Sequence, residues 1–316
     1  MVRPDLIPYL CRVTDRPLLK ASRSQILLAF AAVYIIWGST YLAIRFAIET
    51  LPPMLMVGTR FLVAGGLMYV WLRARGAEKP ELIHWRSAAI IGILMPVLGT
   101  GVVVWAEKRV PSGTAALLVA IEPLWIVVLQ WWRPGGKRPS IWVIAGVLLG
   151  LAGLYLLVDP GGDKQQGNMF AEGMLLLAAL SWAAGSLYTK RAPQAKERFL
   201  STGMEMIVAG VVLIVVGFVT GEANHFSFAA PSAKSWLALL YLISFGSIIA
   251  YTAYVWLMSA ADATLVSTYA FVNPVVAVFL GWAFASEQLN GRMIMAAAII
   301  VGAVALITIS AKEEAG

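Results

Sequence analysis

Residues 25–48 read QILLAFAAVYIIWGSTYLAIRFAI, a run in which Arg45 carries the only charge. An α-helix needs roughly 20 predominantly apolar residues to cross the hydrocarbon core of a bilayer. The run therefore predicts a membrane-spanning helix. Trp37 lies near its middle, and the small polar residues Ser39 and Thr40 follow within one turn.

Apolar runs of the same kind recur along the chain, separated by short breaks that contain Pro, Gly and charged residues. The predicted spans are 25–48, 53–72, 86–106, 113–132, 140–158, 171–189, 201–219, 235–260, 264–284 and 292–310. The chain has 316 residues, 60% hydrophobic and 13% charged, and its mean hydropathy is +0.79. Soluble domains are about 45–50% apolar and about 25% charged. The sequence therefore predicts an all-α integral membrane protein with ten transmembrane helices.

Lys and Arg residues fall mainly on one side of these spans. If the N-terminus is cytoplasmic, that side carries 17 of the Lys and Arg residues outside the spans or at their ends, and the opposite side carries 5. Cytoplasmic loops of membrane proteins are enriched in Lys and Arg. The pattern predicts that both termini are cytoplasmic, with a leader at 1–23 and a tail at 311–316.

The two halves of the chain resemble each other. Trp37 aligns with Trp182 and Gly58 with Gly203 at an offset of 145, and Trp105 aligns with Trp256 and Pro123 with Pro274 at an offset of 151. Each half then holds five spans, at 24–158 and 171–310, joined by an extracytoplasmic linker at 159–170. Because five is odd, the two copies must insert in opposite directions. Inverted repeats of this kind are typical of secondary transporters, whose substrate site lies near the bilayer midplane.

The sequence offers little for other classes of chemistry. Cys11 is the single cysteine, so the chain forms no internal disulfide, and His84 and His225 are too few for a His/Cys metal cluster. The loops are short and contain no Gly-rich phosphate-binding pattern. We therefore expect no cofactor, no metal and no enzymatic activity.

Several short motifs and single residues lie within or next to the predicted spans at characteristic places. They are Trp37-Gly38-Ser39, Arg60, Glu122-Pro123, Leu180-Ser181-Trp182, Asn273-Pro274 and Glu287, and glycines lie in the fifth span at 146, 150 and 153 and in the tenth span at 302. Over residues 25–310 this order and spacing resemble the EamA-type branch of the drug/metabolite transporter superfamily, and its amino-acid exporters in particular. The resemblance implies a substrate pathway between the halves, alternating access and export from the cytoplasm. It leaves the substrate open, because relatives handle amino acids, sugars, nucleotide sugars, purines and drugs.

Two charged residues are predicted to lie deep within spans. Glu122 falls near the middle of the fourth span, where an ionised side chain is costly unless it is paired or hydrated. It is interpreted as a proton-coupling or substrate-contacting acid, or else as a structural residue that forms an ion pair with Arg60 or hydrogen bonds to other helices. Arg60 lies inside the second span, and its planar guanidinium could bind a substrate carboxylate. The alternative is a structural pair with Glu122 or with a backbone carbonyl.

Aromatic residues within the spans predict an amphipathic cavity wall. The candidate substrate-binding residues are Trp37, Tyr41, Trp105, Trp182, Ser186, Tyr251, Tyr254 and Asn273. Such a wall suits a ring or an aliphatic side chain, whereas many Trp and Tyr side chains only mark membrane interfaces. Pro96, Pro123 and Pro274 are candidate kink sites, because proline removes a backbone hydrogen bond. The Gly246-Ser247 step, which lies in the eighth span at the place equivalent to Pro96 in the third, is a further predicted interruption. Kinks that serve packing alone are the alternative.

The sequence thus favours a secondary transporter that exports small amphipathic metabolites, above all aromatic and neutral amino acids, through a midplane cavity. A broader metabolite or drug exporter, with or without proton coupling, is the alternative within this class. A channel or a membrane-embedded enzyme is the alternative outside it. The predicted partners are a small-molecule substrate and the lipid of the inner membrane, with no nucleic acid. The chain is expected to act as a monomer or a homodimer.

Overall fold

The computed structural model describes residues 21–110, 115, 118–133, 136, 138–158, 168–225, 231–285 and 291–313. Within them the regular structure is helical and contains no β-strand. The helices are α1 (Arg23–Ile48), α2 (Pro53–Ala74), α3 (Leu82–Ala106), α4 (Glu122–Trp132), α5 (Ile141–Val158), α6 (Met169–Thr189), α7 (Arg198–Val219), α8 (Ala233–Ala260), α9 (Tyr269–Ala285) and α10 (Gly291–Glu313). A 3-10 turn, Glu222–His225, follows α7, and a short helix, Ala263–Ser267, leads into α9. Most of the predicted leader and linker, together with Glu287, lies outside the described residues.

Seven of the described helices are long and apolar enough to cross a membrane: α1, α2, α3, α6, α7, α8 and α10. Ile141–Leu156 and Ala263–Val276 are shorter apolar helical stretches. The fourth predicted span is represented by α4 and, before it, by helical residues at 115 and 118–119, while residues 111–114 and 116–117 are not described. The predicted all-helical membrane class is therefore confirmed.

Many large apolar side chains point away from the protein. Leu28 is 71% exposed, Val70 67% and Val219 81%, and such residues occur on helices throughout the described chain. A water-soluble monomer rarely exposes contiguous apolar patches of this extent. This surface is suited to contact with lipid.

Local sequence signals fix several helix starts. Ser22 and Gln25 form a capping box before α1, in which each side chain accepts a hydrogen bond from the other residue's backbone nitrogen. Pro53 is the first residue of α2, where its missing N–H has no intrahelical partner to lose. The Glu222 carboxylate accepts from the backbone nitrogens of Met54 and Leu55 at 2.9 and 3.1 Å, so an acid from the second half caps a helix of the first.

The third helix of each half widens into a π-helix at the same place. In α3 the π segment is Ile93–Gly101, which contains Pro96, and in α8 it is Leu242–Tyr251, which contains Gly246 and Ser247. π-helical turns are rare, occur at functional sites and bend helices. The predicted interruptions at Pro96 and Gly246-Ser247 therefore take this form within continuous helices.

Contacts between the two halves are reciprocal. The first helix of each half packs against the third and fourth helices of the other half, so α1 contacts α8 and α9, whereas α6 contacts α3 and α4. The second helices, α2 and α7, pack against each other, and so do the fifth, α5 and α10. Gly76 and Gly221, 145 residues apart, both have positive φ, 89° and 78°, directly after α2 and α7. A left-handed glycine is a common way to end a helix.

Glycines allow the backbones of α2 and α7 to touch. A Cβ added at Gly65 would lie 2.6 Å from the Gly203 carbonyl oxygen, and one added at Gly210 would lie 2.4 Å from the Leu62 backbone nitrogen. Small residues at helix crossings are the usual route to close packing in membranes. Gly65 and Gly210, which lie 145 residues apart as Gly58 and Gly203 do, are thus aligned by the repeat and lie where the two halves meet.

Candidate functional site

A cavity lies among helices of both halves. The cavity volume is about 110 Å³. Ligand pockets are typically about 300–1,000 Å³, so this cavity is a small one. The lining residues are Trp37, Thr40, Tyr41, Ile44, Arg60, Phe61, Gly99, Thr100, Val103, Val119, Glu122, Ala178, Ala179, Trp182, Gly246, Tyr251, Tyr269 and Asn273. Both π segments contribute to this wall, which is mainly apolar and carries one cation and one acid.

Five aromatic rings form a continuous cluster at the cavity. Trp37 is the hub: its ring centroid lies 5.7 Å from that of Trp182, 5.1 Å from that of Tyr254 and 4.9 Å from that of Tyr269. Tyr251 extends the cluster, with its centroid 6.3 Å from that of Trp182. Edge-to-face and tilted geometries of this kind are favourable for aromatic pairs. The cluster is a rigid apolar wall built by α1, α6, α8 and α9.

Hydrogen bonds hold the two repeat-related tryptophans in place. The Trp37 indole nitrogen donates to the Gly246 carbonyl at 3.1 Å, within the π segment of α8, and the Trp182 indole nitrogen donates to the Tyr254 hydroxyl at 3.2 Å. The Ser186 hydroxyl donates to the Trp182 carbonyl, so the 2.6 Å contact between Ser186 and Tyr254 is a donation from the tyrosine. Each buried polar group here has a partner, which fixes the ring orientations.

Arg60 lies on the cavity wall without an acidic partner among the described residues. Its side chain is 4% exposed, its Nε donates to the Ser247 hydroxyl at 2.8 Å, and its Cζ lies 5.1 Å from the Phe61 ring centroid. The expected ion pair with Glu122 is not formed: no carboxylate of the described residues lies within the 4.0 Å that defines an ion pair. The Arg60 guanidinium instead points toward α8, where its Nε donates to Ser247.

Glu122 also lines the cavity, and its carboxyl group turns toward α9. Its Oε2 accepts from the Tyr269 hydroxyl at 2.5 Å, whereas its Oε1 is buried with no hydrogen-bond partner among the described residues. Glu122 is the first residue of α4, so Pro123 occupies the first turn of a helix. Proline is accommodated there because the first backbone N–H groups of a helix have no intrahelical acceptor.

Glu205, on α7, is a second buried acid close to the cavity. Its Oε2 accepts from the Tyr251 hydroxyl at 3.1 Å, and its Oε1 has no hydrogen-bond partner in the described part of the chain. The residue is fully buried. Glu205 does not line the cavity itself; it stands behind Tyr251, which does.

The structure separates the predicted substrate-binding residues into those that line the cavity, those that lie behind its wall, and Trp105. Trp37, Tyr41, Trp182, Tyr251 and Asn273 line the cavity. Tyr254 and Ser186 lie behind the wall and support the tryptophans. In the orientation that satisfies its neighbours, the Asn273 amide nitrogen donates to the Tyr34 and Tyr269 carbonyls at 3.2 Å.

Trp105, the remaining predicted substrate-binding residue, is not among the residues that line this cavity. Its ring contacts Phe170 edge-to-face, at 5.9 Å between centroids, and Arg109 Cζ lies 3.9 Å from its centroid. A tryptophan in the last turn of α3 next to an arginine fits the usual position of aromatic residues at a membrane interface. Pro274, by contrast, lies inside α9, one residue after Asn273.

Tyr269, Phe61, Gly99 and Glu205 were not predicted as site residues. Tyr269 lies four residues before Asn273 on the same helix, so helical spacing could have linked the two. Phe61 follows Arg60 directly, and Gly99 precedes Thr100 in the π segment. Glu205 is one charged residue in a long apolar helix, a pattern that marks intramembrane functional candidates.

Replacement of Glu205 tests whether its carboxyl group holds Tyr251 in place. We expect Glu205→Ala to lower the free energy of unfolding by about 1–3 kcal/mol, because the buried Tyr251 hydroxyl loses its acceptor. Glu205→Gln keeps an acceptor oxygen and should remain near the wild type. Thermal unfolding of the purified variants in detergent is the measurement. Equal destabilisation by Ala and Gln would mean that the hydrogen bond is unimportant.

Comparison with known proteins agrees with this architecture. The model of the EamA-like transporter family matches the chain twice, at residues 23–159 and 169–309. An uncharacterized inner membrane transporter of Escherichia coli K12, YedA, is 41% identical over 282 residues, which are 89% of this chain and 90% of that protein. The uncharacterized transporter YvbV of Bacillus subtilis is 25% identical over 301 residues, 94% of this chain and 95% of that protein.

A solved crystal structure shares the fold, with a TM-score of 0.74 at 22% identity, over 92% of this chain and 100% of that chain. The two family matches coincide with the two groups of helices that pack reciprocally. The predicted resemblance and the expectation of a transporter in place of an enzyme are therefore confirmed at the level of the family. The chain belongs to the EamA-like transporter family, within the drug/metabolite transporter superfamily, and is a membrane transporter.

Proposed function

We propose that this transporter exports small amphipathic metabolites, aromatic and neutral amino acids first among them, by alternating access around the cavity. The observation that carries the proposal is the cavity wall: a rigid cluster of tryptophan and tyrosine rings combined with Arg60 and Glu122. Apolar walls with a few fixed polar groups are typical of small-molecule sites.

The proposed membrane topology has ten spans in two inverted five-span repeats, 24–158 and 171–310, with both termini cytoplasmic. Three observations support it: the asymmetry of Lys and Arg, the two family matches and the reciprocal contacts between the halves. In such repeats, rocking of one half against the other alternates access to a central site. We propose location in the inner membrane because YedA is named as a protein of that membrane.

The test is transport by the purified protein in liposomes, with labelled phenylalanine, threonine and methionine. We expect saturable uptake that is accelerated when unlabelled substrate is preloaded, which distinguishes a carrier from a channel. Trp182→Ala should lower uptake by about tenfold or more, because loss of a buried aromatic wall typically removes over 1.4 kcal/mol of binding. Trp105→Ala, which removes an equally large ring outside the cavity, is the matched control and should transport normally.

Failure of all three amino acids in folded protein would contradict the amino-acid proposal. Sugars, purines and cationic drugs would then be the next substrates to assay. If Trp105→Ala lost activity as completely as Trp182→Ala, the cavity would have no special role in transport.

Proton coupling is a second candidate property, favoured by Glu122, a residue that lines the cavity and whose buried Oε1 has no hydrogen-bond partner among the described residues. An acid in this position can bind either a proton or a cationic group of the substrate. An imposed pH gradient should then change the rate of uptake by the wild type and have no effect on Glu122→Gln. An unchanged response in Glu122→Gln would assign the coupling to another group.

A further inference from the structure

Two opposite charges border the same cavity without pairing. Arg60 projects from α2 and Glu122 from α4, and both side chains are almost completely buried, at 4% and 1% exposure. They form no ion pair with each other or with another charged residue that the structure describes. A buried charge at membrane depth is costly unless a partner compensates it. Both residues therefore lack a charged partner, among the described residues, that would offset the cost of their burial.

Neighbouring residues direct the Arg60 guanidinium toward the cavity. The hydrogen bond from its Nε to Ser247 uses the inner nitrogen and leaves the two terminal nitrogens without an acceptor among the described residues. A Cβ added at Gly246 would lie 2.9 Å from the Nη2 atom, and Gly246 itself lines the cavity. The two free nitrogens form the planar donor fork that matches a carboxylate.

The Glu122 carboxyl group supplies an acceptor that complements the donors of Arg60. Tyr269 occupies one carboxylate oxygen and leaves the other without a donor. An ammonium group supplies N–H donors and a positive charge, both of which this oxygen lacks. The aromatic cluster that includes Trp37 and Trp182 borders the same space and suits an apolar side chain.

We propose that Arg60 binds the carboxylate and Glu122 the ammonium group of a zwitterionic α-amino acid, whose apolar side chain packs on the Trp37–Trp182 wall. The inference rests on the proposed function and specifies the substrate class of its site. A ligand with both charges compensates both residues. A simple amine leaves Arg60 unpaired, and a simple carboxylic acid leaves Glu122 unpaired, so the site selects against each of them.

The experiment compares three ligands that share one ring: phenylalanine, phenethylamine without the carboxylate, and 3-phenylpropionate without the ammonium group. Their affinities are measured by displacement of labelled phenylalanine from purified wild-type protein at neutral pH. We expect both truncated ligands to bind about tenfold to a hundredfold more weakly than phenylalanine, because each leaves one buried charged group unsatisfied.

Variants of Arg60 and Glu122 then test which residue binds the carboxylate and which binds the ammonium group. Arg60→Gln should weaken phenylalanine about tenfold or more and leave phenethylamine within about threefold of its wild-type affinity. Glu122→Gln should weaken phenylalanine similarly and leave 3-phenylpropionate unchanged. Affinities of the variants are measured directly by calorimetry. Trp105→Ala is the control for effects of a substitution outside the cavity, and the melting temperature of each variant shows whether it is folded.

The outcomes separate this inference from the proposed function. If the wild type binds all three ligands equally, or if Arg60→Gln weakens phenylalanine and phenethylamine alike, the assignment of the two charges is overturned while amino-acid transport stands. If folded wild-type protein binds no phenylalanine, the inference is overturned, and the proposed function is overturned with it when threonine and methionine are also not transported.

Discussion

Gly210→Leu is expected to prevent α2 and α7 from packing and to leave little folded protein. The added Cβ alone would lie 2.4 Å from the backbone nitrogen of Leu62 and 2.7 Å from its Cα. Backbone atoms cannot rotate away as a flexible side chain can, so the two helices must separate. Overpacking by even a few methyl groups costs about 1–3 kcal/mol, and here the contact joins the two halves of the protein.

Gly66→Leu is the matched control for this change. Gly66 lies on α2, next to the contact residue Gly65, and a Cβ added there would meet nothing within 4 Å. We expect its folded yield and melting temperature in detergent to match those of the wild type within a few degrees, whereas Gly210→Leu should elute as aggregate in size-exclusion chromatography. Equal behaviour of the two leucine variants would show that the glycine contact does not hold the halves together.

Much of this fold follows from sequence because membranes impose simple rules. Every backbone polar group must be satisfied within the bilayer, so long apolar runs become helices. The offset of 145 between Trp37 and Trp182 also links Gly76 to Gly221, whose positive φ angles end the second helix of each half. Repeated glycines therefore carry information about both helix ends and helix contacts.

The direction of a side chain around its helix is less accessible from sequence. Depth in the membrane suggested that Arg60 and Glu122 would pair, but the hydroxyls of Ser247 and Tyr269 bind them individually. Both partners come from α8 and α9, far along the chain. A prediction of ion pairing from membrane depth alone does not take these two hydroxyl groups into account.

Position along a helix also decides the role of an aromatic residue. Trp105 and Trp182 are both tryptophans within apolar runs, yet Trp105 lies in the last turn of α3 and contacts Arg109, whereas Trp182 lies two turns before the end of α6. The π segments were equally hard to foresee, since Pro96 and Gly246 indicate an interruption but not the type of helix that results.

Gly99→Val is expected to close the cavity while the protein remains folded. A Cβ added at Gly99 would lie 2.5 Å from Cε3 of the Trp182 ring. That ring cannot easily turn aside, because its nitrogen donates a hydrogen bond to Tyr254 and the ring makes edge-to-face contacts with Trp37 and Tyr251. The added side chain must push Trp182 into the space that the substrate would occupy.

The expected result is a loss of apparent affinity of about 5- to 150-fold, since overpacking of this size costs about 1–3 kcal/mol and each 1.4 kcal/mol is about a factor of ten. Substrate counterflow in liposomes is the measurement. Gly302→Val is the control: a Cβ added at Gly302, on α10, meets nothing within 4 Å, and its transport should be normal.

The double variant Gly99→Val with Trp182→Ala shows whether the clash is the cause. Once the ring is absent the valine has nothing to displace, so the double variant should transport no worse than Trp182→Ala alone. Two changes that act through one contact are not additive, whereas independent changes multiply their effects on transport. A double variant whose defect equals the product of the two single defects would mean that Gly99 acts through the flexibility of the π segment and not through the space it leaves for Trp182.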